Sequence, residues 1–220
     1  MKNKSKNNKY KIISLLEIHT GVFVMSVERR FDFIPGEIIA LSLNKNDKAP
    51  RLYSICSSNK DPEMKILFNV IPSGFITEAL AKLKEGDYIY CSSPYGRFHI
   101  GDEPSVWIAN GTGIAPFVSK VLSGTVRDQV LIHGAREEGS FYFNKELQEC
   151  DGLQYTRCST SEEGDDYFHG RLTKYLSELK ELPADRLYYL CGGTEMVVET
   201  RDILISRGIP YNKILSEIYF

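Results

Sequence analysis

Up to about residue 100, apolar residues recur with a period near two, in short segments set apart by turn residues. KIISLLEI, GVFVMSVER, GEIIALSL, RLYSICSS, MKILFNVI and DYIYCSS each read as a strand. FITEALAKLKEGD departs from that rule: Ile76, Leu80 and Leu83 fall on one helical face, and Gly86 follows as a stop. These elements predict an antiparallel β-barrel with one helix over residues 1–102. After about residue 103 strand and helix patterns alternate. SVWIAN precedes GTGIAPFVSKVL, QVLIHGA precedes FNKELQEC, LQYTRCST precedes GRLTKYLSEL, and RLYYLCGG precedes TEMVVETRDILISRG. Such alternation predicts an α/β domain over residues 103–220, a Rossmann-like parallel sheet with ligands at the carboxyl ends of its strands.

Composition narrows the class. The chain has 220 residues, 42% hydrophobic and 25% charged, with a formal net charge of -2. This is the balance of a soluble globular protein, without the basic face that nucleic acid would need and with no implied membrane partner. The N-terminal segment MKNKSKNNKYKIISLLEIHTG is basic, and its apolar run from Ile12 to Leu16 is broken by Ser14 and stops at Glu17. That run is too short for a signal-peptide core or a membrane span, and the lysines read as a frayed tail. The five cysteines, Cys56, Cys91, Cys150, Cys158 and Cys191, form no CxxC pair. Their odd number argues against a disulfide framework, so the expectation is a reduced, cytoplasmic protein with no metal centre.

Three stretches carry candidate chemistry. In RLYSICSS, Arg51 and Tyr53 share one strand face, where a guanidinium and a ring can hold an anion beside an aromatic group. An edge strand whose Arg merely solubilises it has the same pattern. In WIANGTGIAPF, an apolar strand runs into Gly111, Thr112 and Gly113, then into a helix with Pro116 near its first turn. Glycines let backbone amides approach a phosphate at a helix N-terminus, although such a turn also needs glycine on steric grounds alone. In YYLCGGTEM, Cys191, Gly192 and Gly193 end a buried strand, and Thr194 can cap the next helix. A cysteine so placed is ordinarily a small core residue.

Taken in order, these pieces resemble the ferredoxin-NADP reductase superfamily of flavoproteins, especially its short bacterial ferredoxin/flavodoxin reductases, over nearly the whole chain. FIPGE (Phe33 to Glu37) is similar to the segment before the family's third strand, and RLYS to its R-x-Y-S flavin motif. VIPSGFITEALAKLKEGDYI resembles the stretch that carries the flavin pyrophosphate. SPYGRF (Ser93 to Phe98) resembles the G-P-x-G-x-F turn, with Ser93 in place of the first glycine. GTGIAP and CGGTEM match the nicotinamide-nucleotide motifs, and SEIYF matches the aromatic C-terminal end.

The resemblance implies FAD in the first domain and NAD(P)H as co-substrate of the second. Arg51 would then contact the flavin pyrophosphate, with Leu52 beside it. Tyr53 would pack on the flavin ring and ribityl chain, and Ser54 would lie near the flavin N5. Phe75, Ile76 and Thr77 would hold the pyrophosphate through backbone amides and the Thr77 hydroxyl. Gly111, Thr112, Gly113 and Pro116, with Gly192, Gly193 and Thr194, would take the nicotinamide dinucleotide, bordered by Cys191. Glu217 and Ser54 would hydrogen-bond or relay a proton near N5. Tyr219 would stack on the flavin ring, where the nicotinamide must enter, and Phe220 would lie toward the adenine.

Members that prefer NADPH usually place Ser-Arg after the third strand of the second domain. Here CSTSEEGDD puts Ser159-Thr160 or Ser161-Glu162 there, and no arginine follows until Arg171. Glu162, Glu163, Asp165 and Asp166 would repel a 2′-phosphate at close range, while Arg171 keeps NADPH possible, so the balance tilts slightly to NADH. The implied function is hydride transfer from NAD(P)H to FAD, then single electrons to a ferredoxin, a flavodoxin or a small acceptor, by a monomer. One alternative is a reductase subunit of an oxygenase or dehydrogenase complex, with any iron-sulfur module on a separate polypeptide. Dihydroorotate dehydrogenase electron-transfer subunits share the fold, but their C-terminal cysteine cluster is absent here. A catalytically silent nucleotide-binding module is the other alternative.

Overall fold

The computed structural model describes residues 8–47, 49–124, 126–161 and 166–219. The chain divides into two compact units, residues 1–99 with 115–123, and residues 100–114 with 124–220.

The first unit holds strands β1 (Asn8–His19), β2 (Val22–Glu28), β3 (Ile38–Ser42), β4 (Arg51–Ser54), β5 (Glu63–Asn69) and β6 (Tyr88–Cys91). They pair antiparallel in the order β4-β3-β6-β1-β2-β5. A bridge from Ile55, just past β4, to Ile66 of β5 joins the two ends, and the Cys56 amide donates to the Lys65 carbonyl at 2.9 Å. The sheet therefore closes on itself, which removes its exposed edges. Alternation along the strands turns Ile12, Met25, Ile39, Leu41, Phe68 and Ile89 into one core.

Helix α1 (Phe75–Leu80) has six residues and is shorter than the sequence pattern implies. The amides of Lys82 and Leu83 bond three residues back, to Ala79 and Leu80. The chain thus tightens into turns beyond Leu80, and Leu83 still packs on the core. Helix α2 (Ala115–Leu122) also belongs to this unit. Ser119 donates to the Ser57 carbonyl at 2.8 Å, Ser123 accepts from the Asn59 amide at 3.2 Å, and Phe117 meets Phe98 edge-on.

The second unit is a parallel sheet of β7 (Ser105–Asn110), β8 (Gln129–Ala135), β9 (Leu153–Ser159), β10 (Phe168–His169), β11 (Leu187–Gly193) and β12 (Ile214–Tyr219). Helices α3 (Asn144–Gln148), α4 (Leu172–Glu178) and α5 (Thr194–Ser206) belong to it. On one side of the sheet, Ile108, Ile132, Tyr188 and Leu190 pack with Leu172, Leu176, Val197 and Leu204. The strand order is β10-β9-β8-β7-β11-β12, so the winding reverses between β7 and β11. That reversal opens a crevice at the carboxyl ends of the strands, where open α/β sheets bind ligands.

Candidate functional site

The turn after β7 and the turn after β11 meet at this reversal. Residues Gly111–Ile114 form a single 3₁₀ turn. A Cβ on Gly113 would stand 2.3 Å from the Cys191 carbonyl oxygen and 2.6 Å from the Gly192 Cα, so only glycine allows this approach. Gly192 has φ of 151°, and a Cβ there would strike the Asn110 Oδ1 at 1.9 Å. That same Asn110 Oδ1 accepts a hydrogen bond from the Gly193 amide at 3.0 Å, tying the end of β7 to the start of α5. The two glycine-bearing motifs named from sequence thus form one structure.

Cys191 is fully buried in β11 and lies across from Glu217 in the register of β11 with β12, while Gly193 lies across from Tyr219. Burial, with the neighbouring Glu217 carboxylate, pushes the Cys191 thiol well above its ordinary range, and a hydrogen bond with Tyr219 acts weakly against that. The group is a neutral thiol at physiological pH. Cys191, Glu217 and Tyr219 are therefore brought together within this unit.

A cavity of about 400 Å³ opens at the strand ends, lined by Asn110, Gly111, Arg136, Tyr142, Thr160 and Arg171 among others. Thr160 and Arg171, both singled out from sequence, line it. Asn110, Arg136 and Tyr142 were not singled out from sequence, yet Arg136 directly follows β8, so the rule that ligands bind at carboxyl ends points to it. Thr194 starts α5 and is exposed, and Pro116 is buried in the first turn of α2. Of the acidic run after β9, Glu162, Glu163 and Asp165 lie outside the described residues, as does Phe220.

In the first unit, Arg51 is exposed, and among the described residues its guanidinium donates to the Ala49 carbonyl at 3.3 Å. Tyr53, on the same strand face, turns toward the core and meets Phe68 edge-on with centroids 6.2 Å apart. Burial pushes its phenol up to about 12, so it stays neutral. Leu52 points outward, and Ser54 is buried opposite Ile38. Phe75 stands in solvent at the start of α1, with Ile76 half-buried against the core. The Thr77 hydroxyl accepts from the Ile71 amide at 3.1 Å and donates to the Gly74 carbonyl at 3.3 Å, so it closes the turn that precedes the helix.

A buried imidazole sits within the second sheet. His133 on β8 is fully buried, with Nδ1 3.0 Å from the Tyr155 hydroxyl and Phe141 edge-on to its ring. Desolvation lowers its pKa to about 3.

Residues 13–100 match the oxidoreductase FAD-binding domain family, and residues 107–202 match the oxidoreductase NAD-binding domain family. The chain belongs to the ferredoxin-NADP reductase superfamily. It is 28% identical over 189 residues to the toluate 1,2-dioxygenase electron transfer component of Pseudomonas putida, an alignment covering 80% of this chain and 56% of that protein. It therefore spans little more than half of that relative's length. It is 27% identical over 196 residues to the flavodoxin/ferredoxin-NADP reductase of Escherichia coli strain K12, covering 84% of this chain and 72% of the relative. The fold matches the crystal structure of a ferredoxin NADP+ reductase from Neisseria gonorrhoeae with bound FAD and NADP, with a TM-score of 0.86 at 21% identity, covering 99% of this chain and 100% of that one.

Proposed function

We propose that the protein is an FAD-dependent NAD(P)H oxidoreductase that passes electrons to a ferredoxin, a flavodoxin or a similar acceptor. Its flavin module spans residues 1–102 and its nucleotide module residues 103–220. The observation that carries this reading is the meeting of the Gly111–Gly113 and Cys191–Gly193 turns at the strand-order reversal, beside a cavity with two arginines. Bound FAD supplies a centre that accepts a hydride's two electrons and releases them singly.

The residues present fit both groups. Leu52 and Phe75 are 55% and 85% exposed, large apolar surfaces that a flavin nucleotide would cover. Arg51 has donors left for a bidentate bond to a pyrophosphate oxygen pair. The first amides of α1, on Phe75, Ile76 and Thr77, have no intrahelical acceptor and suit the same anion. Thr77 acts by holding the turn rather than by lending its hydroxyl. Tyr53 and Ser54 present a neutral phenol and a small hydroxyl for the flavin ring. In the nucleotide module, Gly111, Thr112 and Gly113 with Gly192, Gly193 and Thr194 line the approach of the dinucleotide, and Pro116 sets the first turn of α2. Cys191 gives the nicotinamide a small, neutral, water-excluding neighbour. Glu217 holds or moves a proton beside it, and Tyr219 guards the position the nicotinamide takes.

A second reading makes the chain the reductase partner of an oxygenase or dehydrogenase component, favoured by its likeness to the toluate dioxygenase electron transfer component. No helix among the described residues is long and apolar enough to cross a membrane, and a cytoplasmic monomer is proposed. The test is purification followed by steady-state turnover. A yellow protein with about one FAD per chain that reduces ferredoxin or flavodoxin with NADH or NADPH supports the first reading. Reduction of free flavin with neither carrier protein favours the second. A colourless protein that takes up no FAD on reconstitution overturns both and leaves a silent nucleotide-binding module.

A further inference from the structure

The cavity at the strand ends contains two arginines in different electrostatic states. Arg171, at the start of α4, points its guanidinium at α5, where Nη2 lies 3.1 Å from Glu195 Oε1 and 2.9 Å from Glu199 Oε2. Glu195 and Glu199 are one helical turn apart and share a face of α5, so both reach the same cation. One positive charge is thereby matched by two negative ones. Arg136 also lines the cavity, and no ion pair to it occurs among the described residues. Glu195 and Glu199 are not among the residues that line the cavity and reach it through Arg171, so of its two cations Arg171 is already matched by carboxylates.

We infer, on the reading of this cavity as the coenzyme site, that Glu195 and Glu199 are specificity-determining residues that select the dinucleotide with a free 2′-hydroxyl and reject the 2′-phosphorylated one. A 2′-phosphate carries roughly -1.5 to -2 charges at neutral pH. To use Arg171 it must displace a carboxylate or sit beside both, and each carboxylate repels it. A ribose diol meets no such obstacle, because a carboxylate accepts its hydroxyl protons. The three side chains are solvent-exposed, so the pair contributes little to folding and its effect falls on the ligand. Thr160, on the same wall, offers a hydroxyl but no compensating cation.

The test uses the FAD-loaded full chain with the variants Glu195→Gln, Glu199→Gln and the double change. Calorimetry measures binding of AMP against adenosine 2′,5′-bisphosphate, and flavin reduction measures kcat/KM for NADH against NADPH. The parent is expected to bind AMP at least as tightly as the bisphosphate and to favour NADH. The double variant should move both ratios toward the phosphorylated ligand by about tenfold or more, the size of one charge-assisted contact. Adding Arg171→Ala to the double variant should abolish that gain. Higher salt should shrink the parent's discrimination, since the carboxylates are exposed. A parent that favours the bisphosphate, or a double variant whose ratios move less than about threefold, overturns the inference while flavin reduction leaves the coenzyme reading standing. Failure of the parent to bind either nucleotide and to be reduced by either coenzyme overturns both.

Discussion

In the barrel unit three candidate residues are side chains in solvent: Phe75 at 85% exposure, Leu52 at 55%, and the exposed Arg51 guanidinium. In the parallel-sheet unit three are backbone and core: Gly113 and Gly192 packed below van der Waals distance for any Cβ, and Cys191 fully buried. These exposed side chains carry little of the barrel's packing, so substitutions at them act on binding. In the sheet unit the candidate turns are themselves part of the packing, so substitutions there act on the fold first. The contrast explains why glycines mark one site and an exposed Arg marks the other.

The strongest way to break that contrast is Gly113→Val. The new side chain must enter the space of the Cys191 carbonyl, where backbone on both sides cannot give. The expected cost exceeds the ordinary overpacking range of about 1 to 3 kcal/mol, with a fall in Tm of roughly 10 °C or more. An unchanged melting curve would mean that the two turns do not touch.

Acid should separate the units next. The folded pKa of His133 is about 3 against an ordinary 6.5. Below pH 6.5 the unfolded chain takes up a proton that the folded chain refuses, so stability falls as pH falls through that window and is recovered above it. The slope approaches about 1.4 kcal/mol per pH unit well below pH 6.5, which gives roughly 2 kcal/mol between pH 6.5 and 4.5. Urea unfolding of the parent and of His133→Phe at both pH values measures it. Equal slopes for the two proteins would show that the imidazole is hydrated. Loss of near-ultraviolet signal from Trp107, which lies in the parallel sheet, should track the same transition.

Arg51→Ala should weaken FAD binding by about 1.5 to 3 kcal/mol, roughly ten- to a hundredfold, and leave the melting temperature of the flavin-free protein unaltered. A drop in that temperature would make Arg51 structural and erase the contrast between units. Tyr219→Ser should have the smallest effect. On the proposed reading that its ring stands where the nicotinamide binds, its removal should tighten NAD binding by about two- to tenfold, for a contact of roughly 0.5 to 1.5 kcal/mol. Titration of the oxidised protein at the flavin bands measures it, and equal or weaker binding would make the tail ordinary packing.

The sequence by itself determined the order of architectures, barrel then parallel sheet, because side-chain period is a property of neighbouring residues and needs no partner to be read. It also picked out the two turns that meet at the strand-order reversal, since GTGIAP and CGGTEM combine glycine with a strand before and a helix after. The early end of α1 was beyond it: the apolar face continues to Leu83, but the chain tightens into three-residue turns to bring that face onto the barrel core. Only the tertiary structure decided that α2 belongs with the barrel, that Asn110 ties β7 to α5, that Arg136 reaches the cavity and that Arg171 is held by two carboxylates. Each of these contacts joins residues far apart in the chain. Their meeting depends on strand order and on how closely backbones can approach, and no local period encodes either.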